Sequence, residues 1–95
     1  APSMEKKMAM GHTFLTIISS NRGAALVEAL RDAGYAVTEI PARGKDGTVS
    51  MLELGVERKD LLTVQKMITS IDPESLITSR DIEPLYRGYW GRQNH

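Results

Sequence analysis

Bulky apolar and β-branched residues crowd the stretch His12–Ser19. Phe14, Leu15, Ile17 and Ile18 stand among Thr13 and Thr16, a composition that favours an extended strand. Asn21-Arg22-Gly23 then turns the chain, with Ser20 or Asn21 placed to cap a helix by accepting its free N–H groups. From Ala24 to Ala33 the period changes. Leu26, Val27, Leu30 and Ala33 recur at helical spacing, and Glu28, Arg31 and Asp32 occupy the opposite side. Gly34 follows, the residue type that best tolerates the left-handed conformation closing many helices.

Ala36–Ile40 predicts a short second strand and Thr48–Val56 a longer third. Between them Pro41-Ala42-Arg43-Gly44-Lys45-Asp46-Gly47 gathers a proline, two glycines and an Asp-Gly step, so it reads as a hairpin loop. Helical spacing returns from about Lys59 to Ile71, where Leu61, Val64, Met67 or Ile68, and Ile71 form one stripe. Asp60 in the first turn suits the positive end of the helix dipole. Asp72-Pro73 ends the helix, because the residue before proline avoids helical geometry. Leu76–Ile82 is the fourth strand.

The order β-α-β-β-α-β is that of a ferredoxin-like α+β sandwich. Right-handed crossovers put both helices on one face of a four-stranded antiparallel sheet. Residues 1–11 read as an N-terminal linker or juxtamembrane segment, 12–90 as the domain and 91–95 as a C-terminal tail.

Alternation carries one message beyond the single chain. Phe14 and Ile18 point to one side of the first strand, Leu15 and Ile17 to the other. In the third strand Leu52, Leu54 and Val56 oppose Val49 and Met51. Two helices cover only one face, and a half-solvated antiparallel sheet should alternate apolar with polar residues. Apolar residues on both faces therefore predict a partner on the open one. Phe14, Ile18, Val49 and Met51 are the residues expected to hold a homo-oligomer together.

Composition narrows the function classes. Twelve basic and twelve acidic residues cancel over 95 residues. That balance argues against nucleic acid, whose binders carry a basic stripe. No apolar run approaches the roughly 18–20 residues that span a bilayer, and residues 1–7 lack the apolar centre of a signal peptide. The absence of cysteine removes thiolate nucleophiles and thiolate metal sites, and fits a reducing cytosol. His12 and His95 have no neighbouring ligands in sequence, so no metal is expected. No cofactor motif is present. Arg43-Gly44-Lys45-Asp46-Gly47 lacks P-loop spacing, although its exposed N–H groups and two cations suit an anion. Ser19-Ser20 shows no base-and-orienter constellation. Asp81 and Glu83 alternate onto one side of an extended chain, the arrangement of an ordinary charged edge. The tail places Tyr86, Arg87, Tyr89, Trp90 and Arg92 close together, where aromatic planes beside guanidinium groups suit stacking and phosphate pairing.

Several segments in fixed order resemble a known family. They are residues 5–11, Leu26–Tyr35, Gly44–Gly47, Arg58–Leu61, Ile71–Glu74, Ser79–Ile82 and Gly88–Trp90. They resemble the PII-like domain of unknown function at the cytosolic, C-terminal end of YitT-type and related bacterial membrane proteins. The resemblance implies a non-enzymatic, trimer-forming domain on the cytoplasmic side of the plasma membrane, joined to the membrane only through segments outside this chain. It also implies a small anionic effector, such as a nucleotide, in the clefts between subunits. Carried onto this sequence, the expected ligand site combines Arg43, Gly44 and Lys45 of one chain with Arg80, Tyr86 and Arg87 of its neighbour. The loop between the second and third strands is much shorter here than in PII proteins. Two other classes share the topology. An acylphosphatase-like enzyme would use Asn21-Arg22 after the first strand, but its glycine-rich phosphate loop is missing. An RNA-binding module would need exposed aromatics on the first and third strands, and the third offers only Val49 and Met51.

Overall fold

The computed structural model describes residues 11–82. Its elements are β1 (His12–Ser19), α1 (Gly23–Asp32), β2 (Thr38–Gly44), β3 (Gly47–Glu57), a 3₁₀ turn (Arg58–Asp60), α2 (Leu61–Ile71) and β4 (Leu76–Ile82). The strands form one sheet in the order β2-β3-β1-β4, every neighbouring pair antiparallel. This is the ferredoxin-like α+β fold, and β1 and β4 keep the boundaries expected from the sequence.

Burial decides which face of the sheet is inside. Leu15 and Ile17 of β1 pack with Leu52, Leu54 and Val56 of β3 against Leu26, Leu30, Val64 and Ile68 of the helices, all of them at most 2% exposed. Tyr35 and Val37 close the same core beside β2. The C-terminus of α1 turns in a Schellman motif, with the Tyr35 N–H on the Leu30 carbonyl (3.0 Å) and the Gly34 N–H on Arg31 (3.0 Å). Gly34 sits at φ +99°, where a Cβ would be strained. The Arg31 guanidinium then donates to the Val37 carbonyl at 2.9 Å, fixing the path into β2.

Three local expectations are corrected. The hairpin is tighter than its composition suggests: β2 runs through Pro41 to Gly44, which pairs with Gly47, leaving Lys45-Asp46 as the turn. Pro41 is tolerated because β2 is an edge strand. Neither central turn residue has positive φ, so the primed hairpin turns are not used, and Gly47 supplies the reversal at φ +131°. The second correction is that α2 begins at Leu61, after a 3₁₀ turn that contains Asp60. Third, neither Ser20 nor Asn21 caps α1. The N-cap is Arg22, and the hydroxyl that serves this turn belongs to Ser19.

The N-terminus of α1 crosses the sheet closely at Gly23. A Cβ there would collide with the Ser50 side chain on β3. Glycine at this position brings the helix onto the sheet, and the Glu39 carboxylate, hydrogen-bonded by the Ser50 hydroxyl at 3.3 Å, lies alongside.

Candidate functional site

Two regions stand out, at the end of β1 and on the open face of the sheet. The first is built around Ser19 and Asp72, which are 1% and 8% exposed. The Ser19 hydroxyl donates to Asp72 Oδ2 at 2.5 Å and accepts the Arg22 N–H at 3.0 Å. Asp72 Oδ1 accepts the Glu74 N–H at 3.1 Å, and the Asp72 carbonyl accepts the Ser75 hydroxyl at 2.9 Å. Both carboxylate oxygens are therefore engaged, and the network clamps the β1–α1 turn to the α2–β4 turn.

Above this clamp lies a cleft of about 350 Å³, lined by Ser20, Asn21, Arg22, Asp72, Pro73 and Glu74. It holds the Asn21-Arg22 pair that an acylphosphatase-like reaction would employ. Its lining carries one arginine and two carboxylates, a balance that disfavours a phosphate dianion. The Ser19 hydroxyl is buried with its proton spent on Asp72, which suits a structural tie rather than a nucleophile. Among the described residues, no group of three or more His, Cys, Asp or Glu side chains is arranged to hold a metal ion.

The second region follows from strand register, because paired residues point to the same side. On the open face Leu76, Ile18, Met51 and Ile40 are successive cross-strand partners, one from each strand. They make an apolar row across the whole sheet, with Leu76 57% exposed. Val49 and Ala42 form a shorter apolar step on the hairpin side of this row. On its other side runs a polar row of Thr78, Thr16, Glu53 and Thr38. Beyond that, Phe14 pairs with Gly55 on one flank and Arg80 on the other. The Arg80 guanidinium carbon stands 5.0 Å from the Phe14 ring centroid, a cation–π contact.

The Phe14, Ile18, Val49 and Met51 set assigned from the sequence to the open face lies on it and is half-buried. Glu53, outside the set expected from the sequence, also belongs to this face. The signal was present: it stands between inward-facing Leu52 and Leu54, so alternation sends it outward with Met51. The Ser19–Asp72 clamp has no such signal, since its partners lie 53 positions apart.

The expected ligand residues do not converge within one chain. Arg43 lies exposed near the tip of β2, Gly44 ends that strand, and Lys45 is in the turn. Arg80 lies on β4, at the opposite edge of the sheet. Its register through Phe14 to Gly55 sets it about 23 Å along the strands from Thr48, the partner of Arg43, and about 14 Å across them. Arg43 also points to the helix side and Arg80 to the open side. Tyr86 and Arg87 lie outside the described residues. Asp81 is salt-bridged to Arg58, and its companion Glu83 is outside the described residues too.

No protein-family model matches the chain. In sequence it is 32% identical over 90 residues to a UPF0316 protein of Listeria welshimeri, covering 95% of this chain and 52% of that protein. A UPF0316 protein of Staphylococcus epidermidis is 30% identical over 87 residues, covering 92% and 42%. In structure it is similar to a functionally unknown protein from Pediococcus pentosaceus, with a TM-score of 0.74 and 14% identity, covering 84% of this chain and all of the other. A protein from Thermus thermophilus assigned as PII-like signaling superposes with a TM-score of 0.62 and 22% identity, covering 77% and 87%. A de novo designed protein reaches a TM-score of 0.51 at 9% identity, over 77% of this chain and 98% of its own. A fold that a designed sequence also adopts does not itself carry a function. The chain is thus similar to UPF0316 proteins in sequence and to a PII-like protein in fold, and it spans about half the length of the curated relatives it matches.

Proposed function

We propose that this chain is a non-enzymatic regulatory domain of a larger bacterial membrane protein. It assembles as a homotrimer on the cytoplasmic side of the plasma membrane and binds a small anionic effector, such as a nucleotide, in the clefts between subunits. The observation that carries the proposal is the placement of the basic residues. Arg43 and Lys45 stand exposed together at the hairpin end of the sheet, and neither has an ion-pair partner among the described residues, so both cations are open to an anion. The likeness to a PII-like signaling protein supports an effector role, and the half-length match to the relatives supports a further part elsewhere in the protein. Neutral net charge is no obstacle, because a local cluster of cations decides anion affinity.

The test is calorimetry with a panel of nucleotides and cyclic dinucleotides, on the wild type and on an Arg43→Ala, Lys45→Ala double variant. Binding is expected for at least one nucleotide, weaker at higher salt because partly exposed charges are screened within about 8 Å at physiological ionic strength. The double variant should lose it. No binding across the panel, or a hit untouched by the double substitution, overturns the effector reading.

A further inference from the structure

We infer that Glu53 of each copy pairs with Arg80 of the next, and that this cross-subunit ion pair sets the register of self-association on the open sheet face. The inference rests on the homotrimer proposed above and adds the contact that would orient it. Glu53 stands half-buried in the middle of the open face, on β3, beside Thr16 and Thr38. Among the described residues neither Glu53 nor Arg80 has an ion-pair partner; the two ion pairs there are Arg58–Asp81 and Lys59–Glu57. Covering a carboxylate that is already half-desolvated is costly unless a cation arrives with the cover. Arg80 lies on the same face, two strands away on β4 and one cross-strand row further along. That offset is about 10 Å across the strands and about 7 Å along them, and the two side chains do not pair within the chain. Arg80 rests on Phe14 instead, and among the described residues no ion pair engages its guanidinium, whose planar edge suits a carboxylate.

The occupant of the face is a second copy of this chain. Among the described residues the face carries one carboxylate and one guanidinium without an ion-pair partner: Glu53 borders the row of Leu76, Ile18, Met51 and Ile40, and Arg80 lies one row further out. It is therefore complementary to itself in charge and in hydrophobicity. In a closed ring each copy gives Glu53 to one neighbour and Arg80 to the other, so every charge is matched. A partner of one sign would leave one of the two charges buried without a counter-ion.

The experiment measures the assembly of the whole chain by light scattering and sedimentation, with far-UV circular dichroism to show that each variant is folded. Wild type should associate at micromolar concentration. Glu53→Arg and Arg80→Glu should each weaken association at least tenfold by setting like charges opposite one another. The combined swap should restore it to within about threefold of wild type. Should either single variant misfold, Glu53→Gln and Arg80→Gln take its place, each expected to weaken association without the repulsion. A wild type that remains monomeric at high micromolar concentration rejects the homotrimer, and this inference with it. Association that ignores the single substitutions, or that the double swap fails to rescue, rejects the ion pair alone. A failed nucleotide titration on a chain that passes the swap test rejects only the effector.

Discussion

The two faces of the sheet share one hydrogen-bonded backbone and differ only in the side chains each strand sends to them. On the helix-covered face the core residues are nearly inaccessible, and the buried side chains of Thr13, Ser19 and Asp72 are all hydrogen-bonded. Thr13 donates to the Arg80 carbonyl at 3.0 Å, and Ser19 is held between Asp72 and Arg22. On the open face Ile18, Met51 and Ile40 are only half-buried, Leu76 is exposed, and Glu53 has no cationic partner among the described residues. The first face is finished within one chain. The second keeps an apolar row across all four strands in contact with solvent, which is the feature the proposed self-association rests on.

The sharpest way to break this contrast is to truncate one apolar residue on each face. Leu54→Ala removes a side chain that is 2% exposed and should lower unfolding free energy by about 2–5 kcal/mol. Met51→Ala, measured on the dissociated chain by urea denaturation, should cost about 1 kcal/mol or less. Equal losses would show that the open face is as much a core as the other. A finer probe compares polar groups. Ser19→Ala strands a buried Asp72 oxygen and the Arg22 N–H, and should cost about 1–3 kcal/mol. Thr78→Ala, in the exposed polar row of β4, should fall within about 0.5 kcal/mol of wild type by the same measurement. The smallest effect belongs to Asp81→Asn. It breaks the bridge to Arg58, but the Asp81 side chain is 71% exposed, so thermal unfolding should move by no more than about 0.5 kcal/mol. A larger loss would show that this pair does more than decorate the edge of β4.

How much of this was legible in the sequence depends on how local the determining physics is. The limits of β1 and β4 follow from composition and alternation, and the structure keeps them. The end of α1 at Gly34 follows from the conformational freedom of glycine. The sequence left the true extent of β2 obscure, because Pro41 and Gly44 punctuate the chain like a loop. Only the knowledge that β2 is an edge strand makes a proline there acceptable, and edge status is a property of the whole sheet. The cap of α1 was misassigned for a related reason. Ser20 and Asn21 have suitable side chains, but Asp72, from across the fold, orients Ser19 for the task. The residues of the open face were legible by alternation. Their joining into one four-strand row was not, because register is set by tertiary pairing.

The pairing of His12 with Ile82 has a mechanical consequence. β1 and β4 are adjacent antiparallel strands, so the chain enters and leaves the described fold at the same end of one ladder. A force applied between those two points would load the β1–β4 hydrogen bonds one rung after another, each worth only about 1 kcal/mol net. The strands would peel like a zipper instead of resisting together in shear. Ser19 and Asp72 lie at the far end of that ladder, and their clamp would be among the last contacts to part. A pull delivered through neighbouring segments would thus first detach β4, the strand that carries Arg80, while β1, β2 and β3 keep their pairing.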